Sequence, residues 1–210
     1  LAVAAKNTCG ALVEEHLEIL QEDGAAASTI NKNRWLLQDL AAQLSKRPIS
    51  QITPAEILII LQRVEKTGRR ESARRLRGAI GTVFRRAIAT LRATNDPTYP
   101  LRGALRPPAV QHRAAINDER ELGALLVSID EYDGWPTVRA ALQLIALTMT
   151  RPIEIRLMRR SEINWPKAIW RIPAERMKMR RPHDVPLSTQ ALDVLRGIWD
   201  LSEGDGLVLP

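Results

Sequence analysis

One segment near the middle of the chain limits the available folds more than any other feature. Residues 94–113 read TNDPTYPLRGALRPPAVQHR and contain four prolines, with no apolar residue repeating at helical or strand spacing. Because proline lacks a backbone N–H and fixes φ, such a run interrupts both helices and sheets. We therefore expect an extended linker that joins two separately folded parts.

The part before this segment has the periodicity of four helices. Apolar residues recur at helical spacing in four stretches. These stretches are 9–22, 28–44, 54–66 and 69–92. Residues that favour helix starts accompany three of them, namely Thr8, Ser28 and Thr53, because their side chains can accept a hydrogen bond from an unpaired N–H. The pattern predicts a small helical bundle.

The part after the proline-rich segment mixes helices with short strands. Helical patterns begin at Asp118, at Pro136 and after Ser188. Between the last two, AIWRIPA and HDVPLS are short, extended stretches separated by the basic stretch ERMKMRRP. This order predicts a small antiparallel β-hairpin with a basic tip. We expect a mainly α chain whose second part is α+β.

Most of the excess positive charge lies in the fourth helical pattern. The whole chain has a formal net charge of +7, and residues 69–92 alone contain eight arginines and one acid. A helix would place five of these arginines within about an 80° sector. This arginine stripe consists of Arg70, Arg74, Arg77, Arg85 and Arg92. Because arginine donates two parallel hydrogen bonds to phosphate, we expect the stripe to bind the backbone of duplex DNA.

Two other interpretations of the arginine stripe remain open. The arginines would form a solvated face if they pair with carboxylates of the third helix. A protein-interaction module would instead use them to bind acidic partners, and weak salt dependence would indicate it, since phosphate contacts release counterions. Gly78 and Gly81 lie on or beside the stripe, where each costs a helix about 1 kcal/mol. Close approach of another backbone would account for both.

The remaining composition excludes several kinds of site. Cys9 is the single cysteine, and the three histidines are widely separated, so we expect no disulfide framework and no zinc or other metal site. No apolar run is long enough to span a bilayer, and the first residues lack the pattern of a signal peptide. We expect a soluble, cytoplasmic protein without a cofactor.

Two segments of the second part resemble a known family. LTMTRPIEIRLM and WRIPAERMKMRRPHDVPLS look like the catalytic domain of tyrosine recombinases, particularly the prophage integrase branch. In that branch Thr-x-x-Arg-Pro-x-Glu-x-Arg precedes a hairpin that bears Arg-Met-Lys. KRPISQITPAEIL and ARRLRGAIGTVFRRAIA in the first part also resemble the branch, so the likeness covers nearly all of residues 10–200.

The resemblance implies a domain organisation and an activity. Residues 1–93 correspond to a four-helix, SAM-like core-binding domain, residues 94–116 to a linker, and residues 117–210 to the N-terminal part of the catalytic domain. The implied activity is DNA cleavage and rejoining through a 3′-phosphotyrosyl intermediate, without cofactor. The implied partners are double-stranded DNA at attachment or recombination sites and further copies of the protein, as a tetramer on that DNA.

The resemblance also assigns chemical roles. The arginine that binds the scissile phosphate corresponds to Arg151, its supporting acid to Glu154, and the hairpin lysine to Lys178. Elementary chemistry agrees, because a phosphodiester under attack gains negative charge that a fixed guanidinium stabilises. Its leaving 5′-oxygen needs a proton, which a lysine can supply.

The hairpin tip holds further candidate residues. Arg180 and Arg181 are expected to contact DNA, whereas His183 is expected to be structural rather than catalytic. Considered singly, these features have simpler explanations. Arg151 and Glu154 would form an ordinary pair three residues apart at a helix start, and a lysine at a hairpin tip is usually only solvated.

The family's nucleophile has no counterpart in this chain. In family members a His-x-x-Arg segment, a further His or Trp, and the nucleophilic Tyr follow the hairpin, whereas Tyr99 and Tyr132 both precede Arg151. We therefore expect the chain from Leu1 to Pro210 to be a fragment that binds DNA and does not cleave it. The alternative is a non-catalytic DNA-binding module or regulator built on the same scaffold.

Overall fold

A computed structural model describes residues 7–108, 114–177 and 179–210. The chain divides into two compact units, unit 1 (residues 1–112) and unit 2 (residues 113–210). Lys178 and the end of the predicted linker lie outside the described residues. Within the described ranges, no helix is long and apolar enough to cross a membrane, and no group of three or more His, Cys, Asp or Glu side chains is arranged to hold a metal ion.

The described part of unit 1 contains the four α-helices that the periodicity predicts. They are α1 (Cys9–Glu22), α2 (Ala27–Arg34), α3 (Pro54–Lys66) and α4 (Arg70–Ala89). Shorter π-helical and 3-10 turns join α2 to α3. The apolar faces of the helices enclose one core, whose fully buried members include Leu12, Ile57, Ile60, Leu76 and Phe84.

Two of the predicted helix starts in unit 1 are confirmed by their hydrogen bonds. The Thr8 hydroxyl accepts from the backbone N–H of Ala11 at 3.3 Å. At α3, the Thr53 hydroxyl accepts from Glu56 N at 3.4 Å, and the Glu56 carboxylate accepts from Thr53 N at 2.9 Å. This reciprocal pair satisfies two N–H groups that an isolated helix leaves unpaired.

The predicted start and length of the second helix are wrong. Ala26 occupies the N-cap position with an extended backbone, so Ser28 lies inside the first turn and caps nothing. The helix leaves α geometry after Arg34 and continues as a π-helical segment, Trp35–Leu40. Apolar periodicity indicates that a segment is helical, but it does not distinguish α from π hydrogen bonding, because the two differ by one residue per bond.

Helix α4 ends earlier than the pattern over residues 69–92 predicts. Its last residue is Ala89, and Leu91 has a φ of +59°. The backbone N–H of Arg92 donates to Ala87 O at 2.8 Å, so the carbonyls of the last turn are paired as the chain leaves the helix. Arg92 therefore lies beyond α4.

The first half of the predicted linker is packed rather than extended. Thr98, Leu101 and Leu105 are buried in unit 1. The Asp96 carboxylate accepts from the Thr98 backbone N–H and hydroxyl at 2.9 and 2.7 Å, which closes a turn against α4. Burying the two leucine side chains in the core stabilises this packed arrangement relative to a solvated linker. The domain limits at residues 93 and 117 remain predictions.

Unit 2 combines helices with a small antiparallel sheet, as predicted. The helices are α5 (Glu119–Asp130), α6 (Pro136–Thr148), α7 (Pro152–Arg156) and α8 (Thr189–Ile198). The strands are β1 (Ile163–Asn164), β2 (Ile169–Ile172) and β3 (His183–Pro186), in the order β1-β2-β3. The predicted hairpin is β2 paired with β3, with Trp170 opposite Val185. Strand β1 was not predicted, because two residues are too few to show an alternation of apolar and polar side chains.

The core of unit 2 lies between the sheet, α6 and α8. Its fully buried members include Leu144, Ile155, Met158, Trp170 and Leu195. Asp118 and Ser188 cap α5 and α8 through their side-chain oxygens, as predicted. This core places α7, with Arg151 before it, beside the strands that carry the basic hairpin connection.

Candidate functional site

Arg151 and Glu154 form a preorganised cation at the start of α7. The buried Glu154 carboxylate accepts from the Arg151 backbone N–H at 2.9 Å and from its Nη1 at 2.8 Å. Only 5% of the Glu154 side chain is exposed, against 59% for Arg151. A buried carboxylate thus holds an exposed guanidinium in one orientation, with donors left for an external anion.

The turn that leads into α7 is sharp and well determined. Met149 has a φ of +53° and ends α6 in the left-handed region. The Thr148 hydroxyl donates to Leu144 O at 2.6 Å and lies 2.8 Å from the Thr150 hydroxyl. Pro152 then occupies the first helical position, where its fixed φ favours the helix. Local geometry therefore sets where Arg151 lies.

The connection between β2 and β3 carries the predicted basic tip. Lys178 lies outside the described residues, so its predicted role remains a prediction. Met179, Arg180 and Arg181 are exposed, and the backbone N–H of Arg180 donates to Met177 O at 2.9 Å. His183 is also exposed, and it begins β3 opposite Ile172. The tip thus presents cations at the surface of unit 2.

The base of this hairpin is tied by an exposed ion pair. Arg171 on β2 contacts Asp184 on β3 through two hydrogen bonds of 2.6 and 2.7 Å. The Arg171 guanidinium holds the pKa of the Asp184 carboxyl below its usual range. The two side chains are 68% and 42% exposed, so the pair contributes little stability.

A largely enclosed charge cluster near the hairpin was not predicted. Arg176 donates to the Glu162 carboxylate and to Leu157 O. The same carboxylate accepts from Trp170 Nε1 at 3.0 Å and from Arg159 N at 3.2 Å. Arg176 is one basic residue among several in ERMKMRRP, and Glu162 precedes it by 14 positions, so no local signal identifies the pair.

Four members of the arginine stripe lie on α4. Arg74 is exposed, and within the described residues neither Arg74 nor Arg70 has a recorded ion pair. Arg77 Nη1 lies 3.5 Å from Thr98 O, a long contact, and Arg85 lies 3.5 Å from the Asp96 carboxylate. Arg85 Nη2 also donates to the Thr82 hydroxyl at 2.9 Å. Arg74 and Arg85 are exposed, and Arg70 and Arg77 are partly exposed, so these side chains are accessible to an external anion.

Arg92, the fifth predicted member, has a different environment. It donates to both Glu15 carboxylate oxygens, at 2.7 and 2.9 Å, and Arg86 donates to the same carboxylate at 3.2 Å. These guanidinium groups lower the pKa of Glu15. Only 19% of the Arg92 side chain is exposed. Arg92 is therefore held against α1 rather than presented beside Arg74.

The carboxylates that pair with these arginines do not come from the third helix. The recorded acidic partners belong to α1 (Glu15), to α4 itself (Glu71) and to the turn after α4 (Asp96). The alternative interpretation, in which the arginines pair with carboxylates of the third helix, is therefore wrong for the described residues. The reason is geometric, because α3 packs on the apolar face of α4, away from the arginines.

The two glycines of α4 differ in their surroundings. A Cβ on Gly81 would lie 2.7 Å from Thr98 Oγ1 and 3.0 Å from Arg85 Nη1, whereas a Cβ on Gly78 would have no neighbour within 4 Å. The close approach at Gly81 thus comes from side chains and not, as was expected, from another backbone. Gly78 has no such explanation within the described part of unit 1.

Comparisons with known proteins cover most of the chain. Residues 10–104 match the family described as the phage integrase central domain. The prophage integrase IntZ of Escherichia coli K12 is 38% identical over 175 residues, which are 83% of this chain and 43% of that protein. The putative protein IntB of the same organism is 36% identical over 78% of this chain and 44% of its own length. The chain thus spans less than half of these relatives.

Solved structures share the fold at lower identity. A lambda integrase tetramer bound to a Holliday junction matches with a TM-score of 0.70 and 20% identity, over 94% of this chain and 58% of that one. The Tn1549 transposon integrase in complex with a circular intermediate DNA matches with a TM-score of 0.74 and 11% identity, over 94% of this chain and 66% of that one. At these identities the likeness concerns the fold alone.

Proposed function

Since the chain belongs to the phage integrase family of tyrosine recombinases, we propose that it is the DNA-binding and phosphate-clamping portion of a site-specific recombinase. The observation that carries the proposal is the exposed Arg151 guanidinium held by the buried Glu154 carboxylate. A charge on a phosphodiester is best stabilised by a donor that needs no reorganisation when the charge develops. The Arg151 and Glu154 geometry supplies such a donor.

The proposed reaction divides the chemistry among four groups. A tyrosine hydroxyl attacks the phosphorus, which forms a 3′-phosphotyrosyl bond and breaks the bond to the 5′-oxygen. Arg151, supported by Glu154, stabilises the charge on the non-bridging oxygens. Lys178 donates the proton that turns the leaving 5′-oxygen into a hydroxyl. The bond energy is kept in the phosphotyrosyl ester, so rejoining needs no nucleotide.

We propose that neither tyrosine of this chain is the nucleophile. Tyr99 lies in unit 1, where the Arg102 guanidinium covers its ring at 4.7 Å, and Tyr132 directly follows α5. The nucleophile would then come from a longer protein that contains this chain. By itself the chain would bind DNA and leave it uncut.

The proposal also names the DNA-binding surface and the assembly. Unit 1 would bind the duplex through Arg70, Arg74, Arg77 and Arg85 on α4, with phosphate contacts outnumbering base contacts. Arg180 and Arg181 would contact DNA from unit 2. The lambda integrase of similar fold is bound to a Holliday junction as a tetramer, and we propose the same self-association for the full-length protein.

A nicked suicide substrate tests the catalytic proposal. The full-length protein should trap a covalent adduct with DNA, and residues 1–210 alone should trap none. Arg151→Ala and Lys178→Ala should each slow adduct formation in the full-length protein. A 5′-thiol leaving group needs little protonation, because a thiol has a pKa near 8.5, so it should rescue Lys178→Ala and not Arg151→Ala. An adduct from residues 1–210, or none from the full-length protein, contradicts the proposal.

A salt titration tests the DNA-binding surface. Replacing Arg74, Arg77 and Arg85 together by Ala should weaken binding to all sequences and lower the salt slope by up to about one unit per lost phosphate contact. The matched control replaces Lys46, Arg63 and Lys66, three exposed cations away from α4's arginine face. It removes the same charge and should leave the slope nearly unchanged. Equal slopes for the two triple variants would rule out the surface.

A further inference from the structure

We infer that Arg176 is a positioning residue for the reaction, and that its ion pair with Glu162 holds the loop of Lys178 against the element that carries Arg151. The inference rests on the proposed function, in which Lys178 donates a proton to the leaving 5′-oxygen. Arg176 itself touches neither DNA nor the reacting atoms in this arrangement. It would act through the segment that follows it.

The Glu162 carboxylate is held in place by hydrogen bonds other than the one from Arg176. Trp170 Nε1 donates to Glu162 Oε2 at 3.0 Å, and Arg159 N donates to the same oxygen at 3.2 Å. Trp170 is fully buried on the central strand β2. The exposed fractions of the Arg176 and Glu162 side chains are 18% and 10%. The acceptor for Arg176 is therefore a rigid, nearly dry carboxylate anchored to the sheet.

The other end of the Arg176 guanidinium reaches α7. Its Nη1 donates to Leu157 O, and Leu157 is the residue at which α7 ends. The same short helix begins with Arg151 and contains the buried Glu154. One guanidinium thus connects the sheet, the end of the phosphate-clamping helix and the start of the hairpin connection.

The contacts of Arg176 with Glu162 and Leu157 O restrain the connection between β2 and β3. Residues 173–182 link β2 to β3, and Ala174–Arg176 forms a single 3-10 turn. Lys178 follows Arg176 by two positions in the sequence. On its β2 side the connection is anchored by the contacts of Arg176 with Glu162 and Leu157 O. A fixed point two positions away in the sequence is the means by which Arg176 would help to place the proton donor.

The chemistry of the pair favours positioning over simple stabilisation. Burying an ion pair costs desolvation that its attraction barely offsets, so apolar residues would serve a core equally well. The Arg176 Nε is also buried without an acceptor among the described residues, which adds to the cost. The planar fork of arginine does, however, bind two separated acceptors in a fixed geometry, whereas the donors of a lysine all lie on one freely rotating nitrogen.

The test measures cleavage by the full-length protein on two substrates. Arg176→Met should slow adduct formation on a normal 5′-oxygen substrate by about 100-fold, the scale for a catalytic group displaced by about 1 Å. The 5′-thiol substrate should restore most of this loss, as for Lys178→Ala. The double variant Arg176→Met with Lys178→Ala should be no slower than Lys178→Ala alone. The matched control Arg171→Met removes the exposed hairpin arginine and should change neither rate by more than a few fold.

A second, more conservative variant keeps the test valid if Arg176→Met does not fold. Arg176→Lys keeps the charge beside Glu162 and gives up the second acceptor, so it should show a smaller loss with the same rescue by the thiol substrate. DNA affinity and the unfolding transition of these variants are measured alongside. If the thiol substrate does not restore the rate that the Arg176 variants lose, or if that loss adds to the loss from Lys178→Ala, the positioning role of Arg176 is wrong. The proposed role of Lys178 is unaffected by this outcome. If Lys178→Ala itself is not rescued, the proposed proton donor is wrong and the positioning role fails with it.

Discussion

The exposed arginines of α4 in unit 1 and the enclosed arginines near the sheet of unit 2 have different environments. On α4 of unit 1, Arg74 and Arg85 are exposed, and Arg85 contacts only the Thr82 hydroxyl at 2.9 Å and the Asp96 carboxylate at 3.5 Å among the described residues. In unit 2, Arg176 is nearly buried between Glu162 and Leu157 O, and Arg160 lies over the Trp199 ring at 4.2 Å while donating to the carbonyls of Trp199 and Ser202. An enclosed guanidinium with several internal acceptors ties elements together, whereas an exposed one keeps some of its donors for an external anion.

The largest expected effect is the loss of stability when the enclosed arginine Arg176 loses its carboxylate partner. Glu162→Ala would leave the largely enclosed Arg176 guanidinium without its carboxylate partner, so the free energy of unfolding of unit 2 should fall by about 1–3 kcal/mol. Asp184→Ala is the matched control, because it removes the acid of an exposed pair on the same sheet and should change stability little. Urea unfolding of both variants measures the difference. Equal losses would mean that burial does not distinguish the two pairs.

A smaller effect separates two arginines within unit 1. Arg92→Ala removes two short hydrogen bonds to a shared carboxylate and should lower the free energy of unfolding by about 1–2 kcal/mol. Arg74→Ala should leave stability within about 0.5 kcal/mol of the unchanged protein and weaken duplex binding. Thermal unfolding and binding to a labelled duplex distinguish the two. If Arg92→Ala weakens duplex binding more than Arg74→Ala does, Arg92 is not mainly a stabilising residue and Arg74 is not mainly a DNA-binding one.

The two glycines of α4 provide a further contrast of about 1 kcal/mol. Gly78→Ala should raise the stability of unit 1 by about 0.5–1 kcal/mol, because alanine favours the helix and its Cβ meets nothing. Gly81→Ala should lower stability, because its Cβ would lie 2.7 Å from Thr98 Oγ1. Denaturant midpoints of the two variants give the signs directly. The same sign for both would contradict the packing of the Asp96 and Thr98 turn on α4.

The smallest expected effect is the acid sensitivity of unit 1. Burial and the nearby Arg86 charge lower the pKa of His16 from its usual 6.5, so the unfolded chain binds more protons and stability falls as the pH drops below about 6.5. The pKa of Glu15 is also lowered, mainly by Arg92, from its usual 4.5. Its contribution is present above that value and is lost as the pH falls through the folded pKa.

Unfolding free energies measured against pH test both groups. His16→Phe should flatten the curve just below pH 6.5, and Glu15→Gln should flatten it below pH 4.5, the usual values of the two groups. Arg92→Ala should also reduce the Glu15 part, because it removes the main cause of that shift. An unchanged slope in His16→Phe would show that the imidazole does not remain neutral in the folded unit.

The features that the sequence predicted correctly depend on neighbours three or four residues apart. The caps at Thr8, Thr53 and Ser188 are local, and so is the pairing of Arg151 with Glu154 at the start of α7. The hairpin of β2 and β3 pairs residues that are farther apart, but it is also predictable, because its two extended stretches and their polar connection follow one another directly in the sequence. Each of these interactions forms wherever its own short segment adopts its secondary structure.

What the tertiary structure alone decided depends on residues far apart in the sequence. Arg92 lies 77 positions from Glu15, and Arg176 lies 14 positions from Glu162. The packing of Leu101 and Leu105, which makes part of the predicted linker a piece of unit 1, likewise depends on a core built by other segments. All arginines look alike in a sequence. Whether one binds DNA or ties the fold together depends on its burial and on the acceptors that the path of the chain brings within reach.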